Sequence, residues 1–223
     1  MTTMSRDRVR CYACGTESVQ TVIRSTNAFG PPDLDTRPPE MERSTIEAWV
    51  QRCPSCGYCA ASLEDDSPHV REVIKRPEYA AQSRRRGFPK LANSFCCRSL
   101  IAAKASDLAR ATWSLVHAAW ACDDAGREKA AVECRRRAAE MLQRAESAGQ
   151  RVADQPGAAV AILVDLLRRA HQMESAAAVL SARSQEASDK VICRVLEYQS
   201  RLIARRDTSG HTIDEALAEK AEE

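Results

Sequence analysis

Four of the ten cysteines in this 223-residue chain fall in two copies of one spacing, Cys11-Tyr12-Ala13-Cys14-Gly15 and Cys53-Pro54-Ser55-Cys56-Gly57. In each copy two thiols three residues apart aim at one point. The following glycine accepts the positive φ that turns the chain back over that point. Two such knuckles supply four sulfurs, the donor set of a closed tetrahedral site, and zinc is the usual occupant. With all four positions filled by protein, such a site holds a fold together and leaves no coordination position for a reacting water. The cofactor expected is therefore structural Zn2+ on Cys11, Cys14, Cys53 and Cys56.

Other uses of the same residues stay open at this point. Cys59 extends the second knuckle to Cys53-x2-Cys56-x2-Cys59, a set that an iron–sulfur cluster could use. His69 could replace one cysteine. Two redox pairs are a third reading, although no thioredoxin-like βαβ pattern surrounds either of them. Cys96, Cys97, Cys122, Cys134 and Cys193 all fall in stretches with helical periodicity, where free cysteine packs as a small apolar residue. Cys134, followed by Arg135-Arg136-Arg137, is the one candidate for a reactive thiol.

The elements around these residues divide the chain in three. Residues 1–66 hold the knuckles, most of the turn chemistry and the Gly30-Pro31-Pro32 and Pro38-Pro39 stretches of a long loop. Val19 to Ile23 and Ala48 to Gln51 read as short strands. So few apolar residues cannot bury an independent core, and the metal supplies the missing staple. Residues 67–206 are rich in Ala, Leu, Arg and Glu at helical spacing. Pro68 opens a helix that Pro77 ends, Pro89 opens the next and Ser106 caps another. Gly149 and Pro156-Gly157 punctuate the rest. Residues 207–223 form a short polar tail with one capping-box pattern, Thr212-x-x-Glu215. The fold class predicted is mainly α, a zinc-ribbon-like module followed by antiparallel helical hairpins of tetratricopeptide type. Aromatic residues at 4% of the chain suit that class, since the core must come from small and aliphatic side chains.

Trp49-Val50 leading into the second knuckle, the earlier Cys11-x2-Cys14 and the repeat-like helices together resemble a bacterial family catalogued as domain of unknown function 2225. The resemblance covers residues 11 to about 206. Gln51-Arg52 before the knuckle and Cys59 after it depart from the family's pattern. The family carries no established activity, so the resemblance implies an architecture and the four cysteine ligands, and no mechanism.

Phosphate-binding loops, dinucleotide fingerprints, zinc-protease helices and nucleophile elbows are missing from the sequence. Its four histidines, His69, His117, His171 and His211, are scattered. The reading is a non-enzymatic adaptor in which stacked hairpins offer a groove to an unidentified protein partner, with Trp113, Trp120, Leu166 and Leu167 as groove candidates. The alternative is a nucleic-acid-binding zinc ribbon using Arg84, Arg85, Arg86 and Lys90, the basic run with no acidic neighbour in sequence. A formal net charge of +2 gives that alternative little general support. No stretch is long and apolar enough for a membrane span, and Met1 to Arg10 lacks the apolar run of a secretory leader. The expected location is the cytoplasm.

Overall fold

A computed structural model of the chain describes residues 1–218. Its first element is a hairpin of β1 (Thr3–Arg10) and β2 (Glu17–Ser25), antiparallel and joined through the first knuckle. Alternation sets its two faces. Val9 turns inward, while Arg6, Arg8 and Arg10 stand exposed on the other side. The strand read at Val19 to Ile23 lies within β2. Its partner β1 gave no sequence signal, because three arginines and an aspartate interrupt any apolar alternation.

The long loop follows, crossing residues 27–42 and ending in a 3-10 helix at Arg43–Ala48. The expected strand at Ala48 to Gln51 is therefore shorter and later: β3 is Gln51–Arg52, paired with β4 (Cys59–Ala60) across the second knuckle. β4 packs on the helix Lys90–Lys104, which seats the module against the helices.

Nine α-helices are present among the described residues. The first pair corrects the sequence reading of Pro77. Helix α1 (Val70–Val73) is a single turn, and Pro77 opens α2 (Pro77–Ser83) rather than closing its predecessor. Proline at the first helical position costs nothing because that N–H has no helical acceptor. Pro89 precedes α3 (Lys90–Lys104) as predicted. The cap of α4 (Leu108–Asp124) is Asp107, whose carboxylate accepts from the Arg110 N–H, and not Ser106.

Helix α5 (Glu128–Ser147) buries Ala131, Cys134, Ala138, Leu142 and Ala145. These recur at three- and four-residue spacing, and their small size lets α5 lie close along α4. Helix α6 (Ala158–Arg169) is almost wholly buried and touches α5, α7 (Met173–Arg183) and α8 (Lys190–Ala204). Each fully buried Leu or Val in it contributes roughly 1.5–3 kcal/mol by leaving water.

One continuous core runs from Val9 in the hairpin to Ala216 in α9 (Ile213–Ala218). The segment read as a polar tail is docked over its described part. Leu34 N–H donates to the His211 carbonyl and Ile213 N–H to the Pro32 carbonyl, both at 2.9 Å. Residues 219–223 lie outside the described residues. No described helix is long and apolar enough to cross a membrane.

Candidate functional site

The two knuckles have the same local structure. In the first, Gly15 N–H donates to the Cys11 carbonyl at 2.7 Å, and in the second Gly57 N–H donates to the Cys53 carbonyl at 3.0 Å. Gly15 and Gly57 both hold φ +75°, a value at which any Cβ would be strained. These turns bring the Sγ atoms of Cys11, Cys14, Cys53 and Cys56 within 4.8 Å of one another. Across the pairs, Cys11 to Cys56 is 3.7 Å and Cys14 to Cys53 is 3.6 Å. A tetrahedron of sulfurs at about 2.3 Å from a central ion has edges of about 3.75 Å. The donor set thus fits a metal ion, with no other ligand-type side chain in the group.

Burial pushes the Cys11 and Cys56 thiols up. At the exposed Cys14, the neighbouring Thr16 hydroxyl and backbone bring the thiol down to about 6. An ion bound here would hold all four as thiolates.

Neither residue offered as a substitute ligand belongs to this set. Cys59 is buried behind the second knuckle, where its thiol donates to the Gly57 carbonyl and meets Cys97 and Tyr79. His69 is exposed, faces Glu72 at 3.6 Å and starts α1 with φ +64°. Cys134 is a correction to the reactive-thiol reading. It is fully buried, its sulfur lies 3.9 Å from that of Cys96, and its hydrogen bonding with Cys122 pushes the thiol up.

The groove candidates do not form a groove. Leu166 and Leu167 lie in the core within α6, and Trp120 is only 2% exposed. Only Trp113 keeps a partly open edge. The Arg84 to Arg86 run is divided as well. Arg85 makes a two-pronged ion pair with Glu133 of α5 at 2.5 and 2.6 Å and lies over the Phe88 ring. Arg86 and Lys90 are exposed. Arg84 lines a cavity of about 370 Å³ beside the second knuckle, together with Arg52 and with no carboxylate in its lining.

Sequence reasoning missed a buried ionic seam that fastens the long loop to the helices. Asp35 accepts from the Trp120 indole N–H at 2.7 Å and from Arg169 at 3.1 Å. Arg37 takes both oxygens of Asp124, at 2.6 and 2.7 Å. Arg169 also reaches Asp123, which Arg135 grips from α5. Burial pushes the Asp35 carboxyl above its ordinary value, the Asp165 charge adds to that, and Arg169 and Arg135 pull against it. Asp123-Asp124 reads in the sequence as a helix-ending turn, and Arg135 and Arg169 read as solvated helix residues. Only the fold reveals that they face one another.

Above this seam, the chain's three tryptophans gather around His117. The His117 ring lies 4.9 Å from Trp120, 5.1 Å from Trp49 and 6.2 Å from Trp113. Trp113, His117 and Trp120 are four and three residues apart on α4 and share a face. Trp49 arrives at the end of the 3-10 helix. Together with the prolines of the long loop they line a cavity of about 500 Å³. The His117 Nδ1 is buried without a hydrogen-bond partner. Burial, helped by the charge of Arg98, pushes the imidazole down to about 3, so it is neutral at physiological pH. The Trp113-x3-His117-x2-Trp120 spacing was the signal available in sequence, though nothing there placed Trp49 opposite it.

No family model, curated protein or solved structure matches this chain.

Proposed function

We propose that this chain is a non-enzymatic interaction protein: a zinc-stapled module fixed to helical pairs of tetratricopeptide type, which recognise a protein partner. The reading rests on the groove between α7 and α8, about 340 Å³, with Leu180, Cys193 and Leu196 in its lining. Val191, at the start of α8, is 40% exposed. Ser184, Glu197 and Ser200 complete the lining, so the groove suits an amphipathic helix or peptide that sets its apolar side on Leu180 and Leu196. Four cysteines that fill a tetrahedral set among themselves support a structural role for the metal, with zinc the occupant that suits four thiolates.

The test is recovery of partners from the native cell with nuclease present, comparing the parent chain with Leu180→Arg. A partner captured in stoichiometric amount by the parent and lost with the variant supports the reading. Equal recovery by both refutes it.

A second reading, nucleic-acid binding, has one observation in its favour. Arg6, Arg8 and Arg10 stand side by side on the exposed face of β1, with no ion pair among the described residues. Three phosphate contacts would give affinity that falls with salt at a log–log slope of about −2 to −3. Single-stranded and duplex probes titrated at two salt concentrations would measure that slope, and affinity that did not change with salt would exclude the reading.

A further inference from the structure

The cavity over α4 has a lining whose chemistry narrows its ligand. Each indole N–H in it is committed to the protein. Trp49 donates to the Thr45 hydroxyl at 2.7 Å, Trp113 to the Val152 carbonyl at 3.0 Å and Trp120 to Asp35. Trp49 and Trp113 therefore offer a ligand only carbon and π surface, with the buried Trp120 closing the floor behind them. Glu42 is the one charged residue in the lining, and its carboxylate has no hydrogen-bond or ion-pair partner among the described residues. No Lys or Arg lines the cavity. The guanidinium of Arg37 lies 5.9 Å from the Trp120 ring centroid and is neutralised by Asp124.

The cavity is also built before any ligand arrives. Thr36, in its lining, holds φ +65°, an uncommon conformation for a β-branched residue that persists only where its surroundings fix it. Here Thr36 N–H donates to the Asp33 carbonyl, Asp33 pairs with Arg43, and the neighbouring Arg37 is clamped on Asp124.

An anion would meet an unpaired carboxylate and no base. A sugar-like ligand would find few fixed donors, since the indoles are spoken for and only His117 and the Thr36 hydroxyl remain. A bare ammonium has three N–H donors to satisfy and would find only the Glu42 carboxylate, the His117 Nδ1 and the Thr36 hydroxyl in the lining. A methylated ammonium needs no acceptors, is attracted to indole faces, and is drawn by an unpaired carboxylate. We infer that this cavity binds a small trimethylammonium compound, seated against Trp49 and Trp113 with Glu42 as its counter-charge. The neutral state of His117 keeps the floor free of repelling charge. None of these residues lines the α7–α8 groove, so the site stands or falls independently of a protein partner.

The probe is choline, added to the whole 223-residue chain purified with zinc in the buffer. Because every tryptophan of the chain lines this cavity, intrinsic fluorescence reports binding without a label. Choline should give a saturable change at millimolar concentration or below. Its uncharged isostere 3,3-dimethylbutanol, equal in shape, should bind about tenfold more weakly or worse. Sodium chloride at matched ionic strength should give no saturable change. In Glu42→Gln, a substitution at a half-buried rim position, choline affinity should fall about three- to tenfold. Absence of a saturable response up to roughly 10 mM, equal binding of the isostere, or unchanged affinity in Glu42→Gln would each overturn the inference. The isostere comparison uses the unaltered protein, so it does not depend on any variant folding.

Discussion

The indole nitrogen of Trp120 and the carboxylate of Asp35 are hydrogen-bonded at 2.7 Å although 85 residues separate them. That bond ties the long loop to α4, in the middle of the helices. Because Arg169 shares the same carboxylate oxygen, Asp35→Ala strips two buried donors of a partner at once. Removing one member of a buried ion pair costs about 3–5 kcal/mol, so the variant should unfold at markedly lower urea than the parent. A loss under about 1 kcal/mol would mean that the seam is not a stabilising element.

The metal prediction concerns stoichiometry. The purified chain should carry one zinc per molecule by elemental analysis. Cys56→Ser should lose it and disorder the knuckles while most helical circular dichroism remains, since α4 to α8 make their contacts chiefly with one another. Cys59→Ser, which alters a thiol behind the knuckle, should keep the metal. Full zinc retention by Cys56→Ser would overturn the ligand assignment.

His117 gives the stability a pH dependence of known sign. The unfolded imidazole takes up its proton near 6.5 and the folded one only at about 3, so between those values unfolding binds a proton. Stability from this group is complete above 6.5 and is lost as pH falls toward 3. From pH 6.5 to 5.5 the loss should be about 1 kcal/mol. In His117→Phe that slope should vanish over the same interval. Urea unfolding of both proteins at the two pH values decides it, and parallel behaviour would mean that the imidazole is not held neutral by burial.

Two glycines separate conformational strain from collision. Gly126 and Gly157 both hold positive φ, +63° and +81°. A Cβ on Gly126 meets nothing within 4 Å, whereas on Gly157 it would sit 2.6 Å from the Ala187 backbone. Gly126→Ala should therefore cost about 1–2 kcal/mol, the left-handed penalty alone. Gly157→Ala should cost clearly more, because the segment joining α7 and α8 must move. Thermal melts of the pair would show equal losses if the contact yields freely.

Much of this arrangement was legible where the signal is local. The knuckles announce themselves because ligand spacing and the following glycine are fixed by turn geometry. Helices α3 to α8 follow from periodicity and from breaks at Gly126, Gly149 and Pro156-Gly157. β1 was hidden because its inward positions, Asp7 and Val9 among them, are not an apolar alternation, and its register depends on pairing with β2. The ionic seam was hidden for another reason. Arg169 reads as a solvated helix residue until the fold places Asp35 and Asp123 against it, and no one-dimensional pattern links loop, α4 and α6. The same holds for the aromatic cavity. Three of its members share a visible face of α4, but Trp49 reaches them only through the loop's path.

The clasp between Pro32–Leu34 and His211–Ile213 carries a consequence for biosynthesis. The loop is made well before its partner, and it cannot take its final path until His211–Ile213 has been synthesised. At roughly 5–20 residues per second that wait is on the order of ten seconds or longer. Meanwhile the cysteine knuckles can load metal while the loop beside them is still unfastened. Metal capture by the knuckles therefore need not wait for loop closure, and translation sets the timing of the latter.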